Sequence, residues 1–445
     1  MRGRDRPSDT GAARGRPGPP TARSVALQAL RRVVQGEGYS NLVIPALLAR
    51  SGLDTRDRGF AAELAYGTIR HLRSLDWAIE QRANRPVERM SEGVRDPLRL
   101  GAYQLLYAHV APHAAVGETV GLAGPRERGY VNAVLRKLSV DPPSWPAGED
   151  DDAVGVRTGV QPWAVAELRR VLPDPAEAEP AAEAMAERGF LSLRTNRCAS
   201  TPEQLEDALR DAGLAPERGA VHPDCLLLDG GDPTTFPHWS DGWFAVQDQA
   251  SAFVVEALDV RPGHRVLDAC AGPGGKTAHL ACLAGDGFVV AADLHPQRAE
   301  LVRSGAERLG LHPSVLAADA TAPALRGVFD RVLVDAPCAG MGASRRRPEL
   351  LWRPRRDELS RLARLQVAIA VASADLLAPG GRLVYSVCSF PRAETEAACD
   401  AIVRHRPELE PAFVEGPDGA APRVRLWPHR HGSDGMFVAA FTKRA

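Results

Sequence analysis

Several things are scarce in this chain, and each scarcity argues against a class of protein. Seven cysteines in 445 residues, with no C-x-x-C pair and no Cys/His spacing of the zinc-finger kind, argue against a disulfide scaffold and a structural zinc site. No stretch approaches the roughly 18 uninterrupted apolar residues of a membrane span. The opening MRGRDRPSDTGAARGRPGPP lacks the apolar core of a secretory signal, so a cytoplasmic location and no membrane partner are expected. Aromatics make up 5% of the residues, and Gly (41) and Pro (36) together stay below the level of low-complexity chains. Only three basic residues are lysines, Lys137, Lys276 and Lys443. Each lysine is therefore worth following, whereas an isolated arginine says little.

What remains is a globular composition: 44% hydrophobic, 25% charged, net charge -1. At roughly 150 residues per domain the length suits about three domains. Six arginines among residues 1–23, against Asp5 and Asp9, predict a disordered basic arm over 1–20. From 21 to 142 the apolar period is helical, with Leu27, Leu30, Val33 and Val34 on one face. Phe60, Leu64, Ile69, Leu72, Leu75 and Ile79 continue as a second stripe. Pro97, Pro112 and Gly124-Pro125 read as breakers between further helices. Residues 143–160, rich in Pro, Gly and acids, read as a linker, and 161–245 as a small α+β module. From 246 to 445, apolar runs such as RVLDACA, FVVAADL, FDRVLVDAP and GRLVYSVCS alternate with amphipathic helices. That pattern predicts an α/β domain with a parallel, doubly wound sheet, whose ligands bind beyond the carboxyl ends of the strands.

The first of these strands runs into Asp268-Ala-Cys-Ala-Gly-Pro-Gly-Gly-Lys276-Thr277. A phosphate-binding P-loop would need Gly where Cys270 stands, and a dinucleotide fingerprint would need Gly where Thr277 stands. Charge is more informative. Asp268, Asp293, Asp319 and Asp335 close or follow successive strands, and four carboxylates would repel a pyrophosphate. An ammonium, a sulfonium and a ribose diol would each find a partner, which points to S-adenosylmethionine. Asp293, placed 21 residues after Gly272, sits where an acid accepts from ribose hydroxyls, and Asp319 sits toward the adenine end.

Two cysteines fall at strand ends of the same sheet: Cys338 in Asp335-Ala-Pro-Cys338 and Cys388 in Tyr385-Ser-Val-Cys388. Cys198, Cys225, Cys282 and Cys399 read as small buried hydrophobes. A pyrimidine C5 is too weak a nucleophile to attack a sulfonium methyl group directly, and a thiolate adding at C6 removes that obstacle. A carboxyl group at N3 and the exocyclic amine, the role Asp335 suits, would stabilise the charge that develops. The residues alone leave open which thiol attacks.

The motifs DACAGPGGKT, DAPCAGMG, YSVCS, VQDQAS and LWPHRHGSDGMFVAAF together resemble the Nol/Nop/Sun family of RNA cytosine-C5 methyltransferases. The segments DTRDRGFAAELAYGTIR, LRLGAYQLLY, APHAAVGETV and GYVNAVLRKL resemble the NusB-like RNA-binding domain of its bacterial Sun/Fmu branch. The resemblance spans about residues 21–445. It implies an all-helical NusB-like domain and a small α+β module ahead of a Rossmann-like methyltransferase domain, with small-subunit (16S) rRNA as substrate. It also implies that Cys388 is the nucleophile and that Cys338 resolves the adduct. Contacts to the cofactor would come from Cys270, Ala271, Gly272, Pro273, Gly274, Gly275, Lys276, Asp293, Arg298, Asp319 and Asp335. Departures from the pattern are Val387 before the nucleophile, Ala339 after Cys338, and Gly117.

The segment Ser344-Arg-Arg-Arg-Pro-Glu-Leu-Leu-Trp-Arg-Pro-Arg-Arg reads as an RNA-holding loop, with Trp352 stacking on a base. Arg194, Asn196 and Arg197 are weaker contacts. His429 and His431 read as local structure, and no metal or DNA partner and a monomeric state are expected. Competing readings are a DNA cytosine-C5 methyltransferase attacking through Cys338, a non-catalytic rRNA-binding assembly factor, and a small-molecule methyltransferase.

Overall fold

Helical stripes before residue 141 become seven α-helices in the computed structural model, which describes residues 19–444. The expected basic arm lies outside the described residues, apart from Pro19 and Pro20. The first helix, Ala22–Val34, starts on a capping box in which Thr21 and Ser24 each satisfy the other's backbone N–H. Pro112 stands in the first turn of its helix, where no N–H is missed. Pro97 does not act as a breaker: it lies inside the helix Glu92–Leu106, close enough to its start to remove one intrahelical bond without ending it.

By packing, the chain divides into residues 1–68 with 88–140, and residues 69–87 with 141–445. In the first unit Leu27, Leu30, Val33, Leu98 and Leu135 are buried, and Arg23 Nε donates to Gln104 Oε1 at 2.7 Å. The second stripe breaks at His71 into Thr55–Arg70 and Leu72–Ala83, and Leu72–Ala83 belongs to the larger unit. There Ser74 Oγ donates to Val156 O at 2.6 Å. That contact exposes a misreading, because the second half of the expected linker is the helix Asp151–Thr158. The acids are its cap and first turn, with Asp150 accepting from Asp152 N and Ala153 N, and Val154 and Val156 behind them are buried.

The α+β module is a four-stranded antiparallel sheet in spatial order Glu217–Arg218, Cys225–Leu228, Leu191–Thr195, Phe244–Val246. Cys198 and Cys282 are not small hydrophobes: they form a disulfide between this module and the catalytic domain, Cα atoms 5.9 Å apart, whereas Cys225 and Cys399 are buried thiols. Pairing over 84 residues is set by tertiary folding, which spacing alone does not reveal.

The catalytic sheet contains β1 (Arg265–Asp268), β2 (Phe288–Asp293), β3 (Ser314–Ala317), β4 (Phe329–Asp335), β5 (Leu377–Val387), β6 (Leu409–Ala412), β7 (Arg423–Leu426) and β8 (Met436–Lys443). Strands β3-β2-β1-β4-β5 are parallel; β8 follows antiparallel beside β5, with β6 and β7 on its far edge. The sheet is thus mixed, not wholly parallel. Strand order reverses between β1 and β4, the position at which such folds open a crevice. Leu267, Val332, Leu333, Val384 and Tyr385 fill its centre, each at most 1% exposed.

Leu333 lies on β4 between two strands, with no solvent face. Leu333→Ala should destabilise the larger unit by about 2–5 kcal/mol, read from urea unfolding. A loss below about 0.5 kcal/mol, typical of a surface site, would contradict this packing.

Candidate active site

Strand β1 stops at Asp268, and the chain turns through Cys270–Gly275 into the helix Gly275–Ala284. The turn is built for close approach. Gly274 has φ +111°, and a Cβ there would lie 2.8 Å from Val302 Cα; one on Gly272 would lie 2.5 Å from Asp293 Oδ2. Gly272 N–H donates to Asp293 Oδ2 at 3.0 Å, and His295 N–H donates to Asp293 Oδ1 at 3.0 Å. Arg298 flanks the same carboxylate at 3.5 Å and also bonds Gly272 O.

Beyond β1 and β4 opens a cleft of about 190 Å³, with Cys270, Ala271, Gly272, Pro273, Gly275, Lys276, Asp335 and Asp268 on its wall. Asp293, Arg298 and Gly274 do not line it. Asp319 is exposed and accepts from Thr321 N–H at 2.8 Å and Thr321 Oγ1 at 2.7 Å, bonds that hold its pKa below the ordinary value. Asp268 accepts from Thr277 Oγ1 at 2.7 Å through one oxygen; the other is buried without a hydrogen-bond partner. Burial lifts Asp268 to about 7, and the Thr277 bond opposes that lift.

Lys276 Nζ lies 2.7 Å from Asp335 Oδ2, and Ser386 Oγ donates to Asp335 Oδ1 at 2.8 Å. Burial works against the Lys276 charge, but Asp335 outweighs it and the ammonium is held more firmly than usual. The two strand-end thiols meet: Cys338 Sγ and Cys388 Sγ are 3.5 Å apart. Either sulfur can donate to the other. That bond lowers Cys388, with Lys276 adding to the effect against burial, while the same bond and burial raise Cys338. Cys270 is pushed up by burial and the surrounding carboxylates and stays a thiol.

Sequence reasoning missed Glu394, which is fully buried and accepts from Ala339 N–H at 2.9 Å, Gln366 Nε2 at 2.8 Å and Ser389 Oγ at 2.5 Å. Its signal was an acid five residues after Ser389 in a polar run, too faint to single out. Other expectations need correcting. Trp352 does not present a free stacking face, since it is part-buried and its indole N–H donates to Ile69 O at 2.9 Å. Arg345 is buried against Gly432 O, and Arg346 pairs with Asp434 on the cleft wall; Arg355 and Arg356 remain exposed. Arg194 and Asn196 are buried structural groups, bonded to Gln247 and to the Gly242 and Leu309 carbonyls.

His222, Glu256 and His279 also converge, away from the cleft. His222 Nδ1 accepts from Asp224 N–H at 3.2 Å, so Nε2 carries the proton and faces Glu256 Oε1 at 3.2 Å. A metal ion would need that Nε2 lone pair. The trio is therefore explained as a hydrogen-bonded cluster. His429 faces Glu177 at 3.0 Å, and His431 Nδ1 accepts from Trp427 N–H at 2.9 Å.

Asp268 gives a stability signature. It ionises near 3.8 in an unfolded chain and near 7 in the native one. Between those values the native state holds a proton that the unfolded state has released, so stability falls as pH rises. Asp268→Asn should therefore gain stability relative to the wild type as pH rises from about 4 to about 7, read from urea midpoints. A constant difference across that window would show that Asp268 is ionised throughout.

Residues 255–442 match the family described as 16S rRNA methyltransferase RsmB/F, residues 20–139 the NusB family, and residues 161–235 the ferredoxin-like domain of RsmF/B-like methyltransferases. A Mycobacterium tuberculosis (strain ATCC 25618 / H37Rv) protein named as a methyltransferase is 40% identical over 463 residues, covering 95% of this chain and 96% of its own. The ribosomal RNA small subunit methyltransferase B of Vibrio cholerae serotype O1 is 33% identical over 431 residues, covering 95% and 97%. Among solved structures, that of PH0851 superposes with a TM-score of 0.81 at 25% identity over 96% of this chain and 100% of that one. A methyltransferase homologue from Pyrococcus horikoshii gives 0.57 at 26% identity, over 66% and 99%. With likeness of this depth along nearly its whole length, and a glycine turn, ion pair and thiol pair at the switch point of the sheet, the chain belongs to the 16S rRNA methyltransferase RsmB/F family.

Proposed function

We propose that this protein transfers a methyl group from S-adenosylmethionine to C5 of a cytosine in small-subunit (16S) rRNA, through a covalent bond between Cys388 and C6 of the base. The observation that carries the reading is the pair of thiols 3.5 Å apart beside the Lys276–Asp335 ion pair. A methyltransferase acting on an amino group has no use for two thiols at the donor cleft.

The cleft fits the cofactor. Asp268 offers a buried oxygen with no partner to an ammonium, and the glycines at 272 and 274 leave no Cβ to crowd the turn. Cys270, Ala271, Gly272, Pro273, Gly275, Lys276 and Asp335 would form the wall, with Gly274 shaping the turn, Asp293 and Arg298 toward the ribose, and Asp319 toward the adenine end. When bound, the cofactor supplies an electrophilic methyl group on a positively charged sulfur.

The residues then divide the work. Cys388, already biased toward thiolate, adds to C6 and leaves negative charge on the ring. Asp335, steadied by Lys276 and Ser386, would accept from the exocyclic amine, with the Lys276 ammonium offsetting the negative charge on the ring. C5 becomes the nucleophile and takes the methyl group. Bonding of Cys388 also removes the negative sulfur that kept Cys338 protonated. Cys338 then gives its proton to solvent and, as thiolate, takes the C5 proton while the C6–S bond breaks to return Cys388 as thiolate. The polarity of the thiol pair favours Cys388 over Cys338 as the attacking group. The NusB-like helices and the exposed Arg355 and Arg356 would hold the RNA backbone while the target base leaves its stack.

Transfer of labelled methyl groups to protein-free 16S rRNA should occur with the wild type and be absent with Cys388→Ala. Cys338→Ala should accumulate a covalent protein–RNA species that resists denaturation. Asp335→Asn should lower kcat by about 10²–10³-fold. Full activity in Cys388→Ala, with loss in Cys338→Ala, would transfer the nucleophile role to Cys338.

A further inference from the structure

Two thiols on different loops stay 3.5 Å apart only if something fixes both loops at once. Cys388 directly follows β5, and its carbonyl accepts from Gly342 N–H at 3.0 Å; Cys338 lies three residues beyond β4, and among the described residues no backbone–backbone hydrogen bond is made by Pro337, Cys338 or Ala339.

Glu394 joins the two. Its Oε1 accepts from the backbone N–H of Ala339, the residue after Cys338, and its Oε2 accepts from the hydroxyl of Ser389, the residue after Cys388. Gln366 extends the tie: its Nε2 donates to Glu394 Oε1 and, at 2.9 Å, to the carbonyl of Pro337, the residue before Cys338. The hydroxyl of Tyr385, on the strand that leads to Cys388, lies 2.6 Å from the Glu394 carbonyl and 3.0 Å from Gln366 Oε1. Each of these polar atoms is supplied by a segment flanking one of the thiols, or by a side chain bridging them.

The chemistry of the group suits the task. A buried carboxylate is costly unless its lone pairs are filled, and here three donors fill them. Burial raises the pKa of Glu394, and the bonds from Ser389, Ala339 and Gln366 work against that rise. A glutamine in its place could keep its amide oxygen on Ala339 and Gln366 and donate its NH₂ to the Ser389 hydroxyl, so only truncation of the side chain breaks the clamp. Ala339 contributes only its backbone N–H, so the tie does not depend on the side chain at that position.

We propose that Glu394 is a positioning residue that fixes the spacing of the Cys338 and Cys388 thiols, and thereby governs both adduct formation and release. This rests on the two-thiol reading above. Two variants test it, Glu394→Ala and Ser389→Ala, each compared with the wild type in steady-state methyl transfer and in diamide-driven Cys338–Cys388 cross-linking, mapped by peptide mass spectrometry without RNA or cofactor.

Glu394→Ala is expected to lower kcat about 10²-fold, as for a misplaced reacting group, with KM for the methyl donor changed less than about twofold. Its cross-linking rate should fall at least about tenfold, and Ser389→Ala, which removes one arm, should lose about tenfold in kcat. A folded Glu394→Ala protein that cross-links at the wild-type rate would overturn the proposal, as would a loss confined to KM for the methyl donor. Should Glu394→Ala fail to fold, Ser389→Ala decides on the same two readouts. Absence of 5-methylcytosine in the wild-type product would instead overturn the functional reading, while cross-linking still reports on Glu394.

Discussion

The side-by-side pairing of β1, β4 and β5 fixes how deep each strand runs before it stops, and the chemistry depends on that register. Asp268 stands opposite Leu333, and Asp335 opposite Ser386. These pairings bring a buried carboxylate, a carboxylate paired to an ammonium, and a strand-end thiol to one edge of the sheet. A slip of one residue would turn each of these side chains to the other face. The dry, two-sided packing of β4 and β5 is what forbids the slip, so the apolar core and the polar edge are one construction.

Within that edge, opposing electrostatic effects set the state of each group. Burial alone would neutralise Lys276, Asp268 and both thiols. Lys276 keeps its charge because Asp335 lies within 2.7 Å, whereas at Asp268 the Thr277 bond, Lys276 and the Cys270 backbone do not offset burial, and the group is lifted toward neutrality. The thiols act on each other: the bond between them shifts Cys388 down and Cys338 up. Lifting Asp268 toward neutrality also limits self-repulsion among the carboxylates, which the charge count in the sequence had treated as four full charges.

Much of this was legible in the sequence because it depends on short-range pattern. Apolar runs with turn residues after them marked the strands that carry Asp268, Asp293 and Asp335 and that lead to Cys338 and Cys388. What escaped depends on long-range contact. The Asp151–Thr158 helix was hidden by acids that turned out to be its cap, since a cap and a solvated linker have the same composition. Trp352 and Arg345 looked free in a basic run, yet they find carbonyl acceptors far away in the chain. The Cys198–Cys282 bond and the Glu394 tie span 84 and about fifty residues, and no local period records either. The strands β6 and β7 are short and partly exposed, and left no apolar run to read.

The antiparallel insertion of β8 beside β5 has a consequence for how the protein comes to be. The strand that delivers Cys388 gains its second neighbour only from residues 436–443, which leave the ribosome well after it does. Until then β5 is an open edge, its backbone groups unpaired and its thiol unset. The helical unit, made first, leaves the ribosome while the two thiols are still unpaired in space, so the site is the last part of the chain to be assembled.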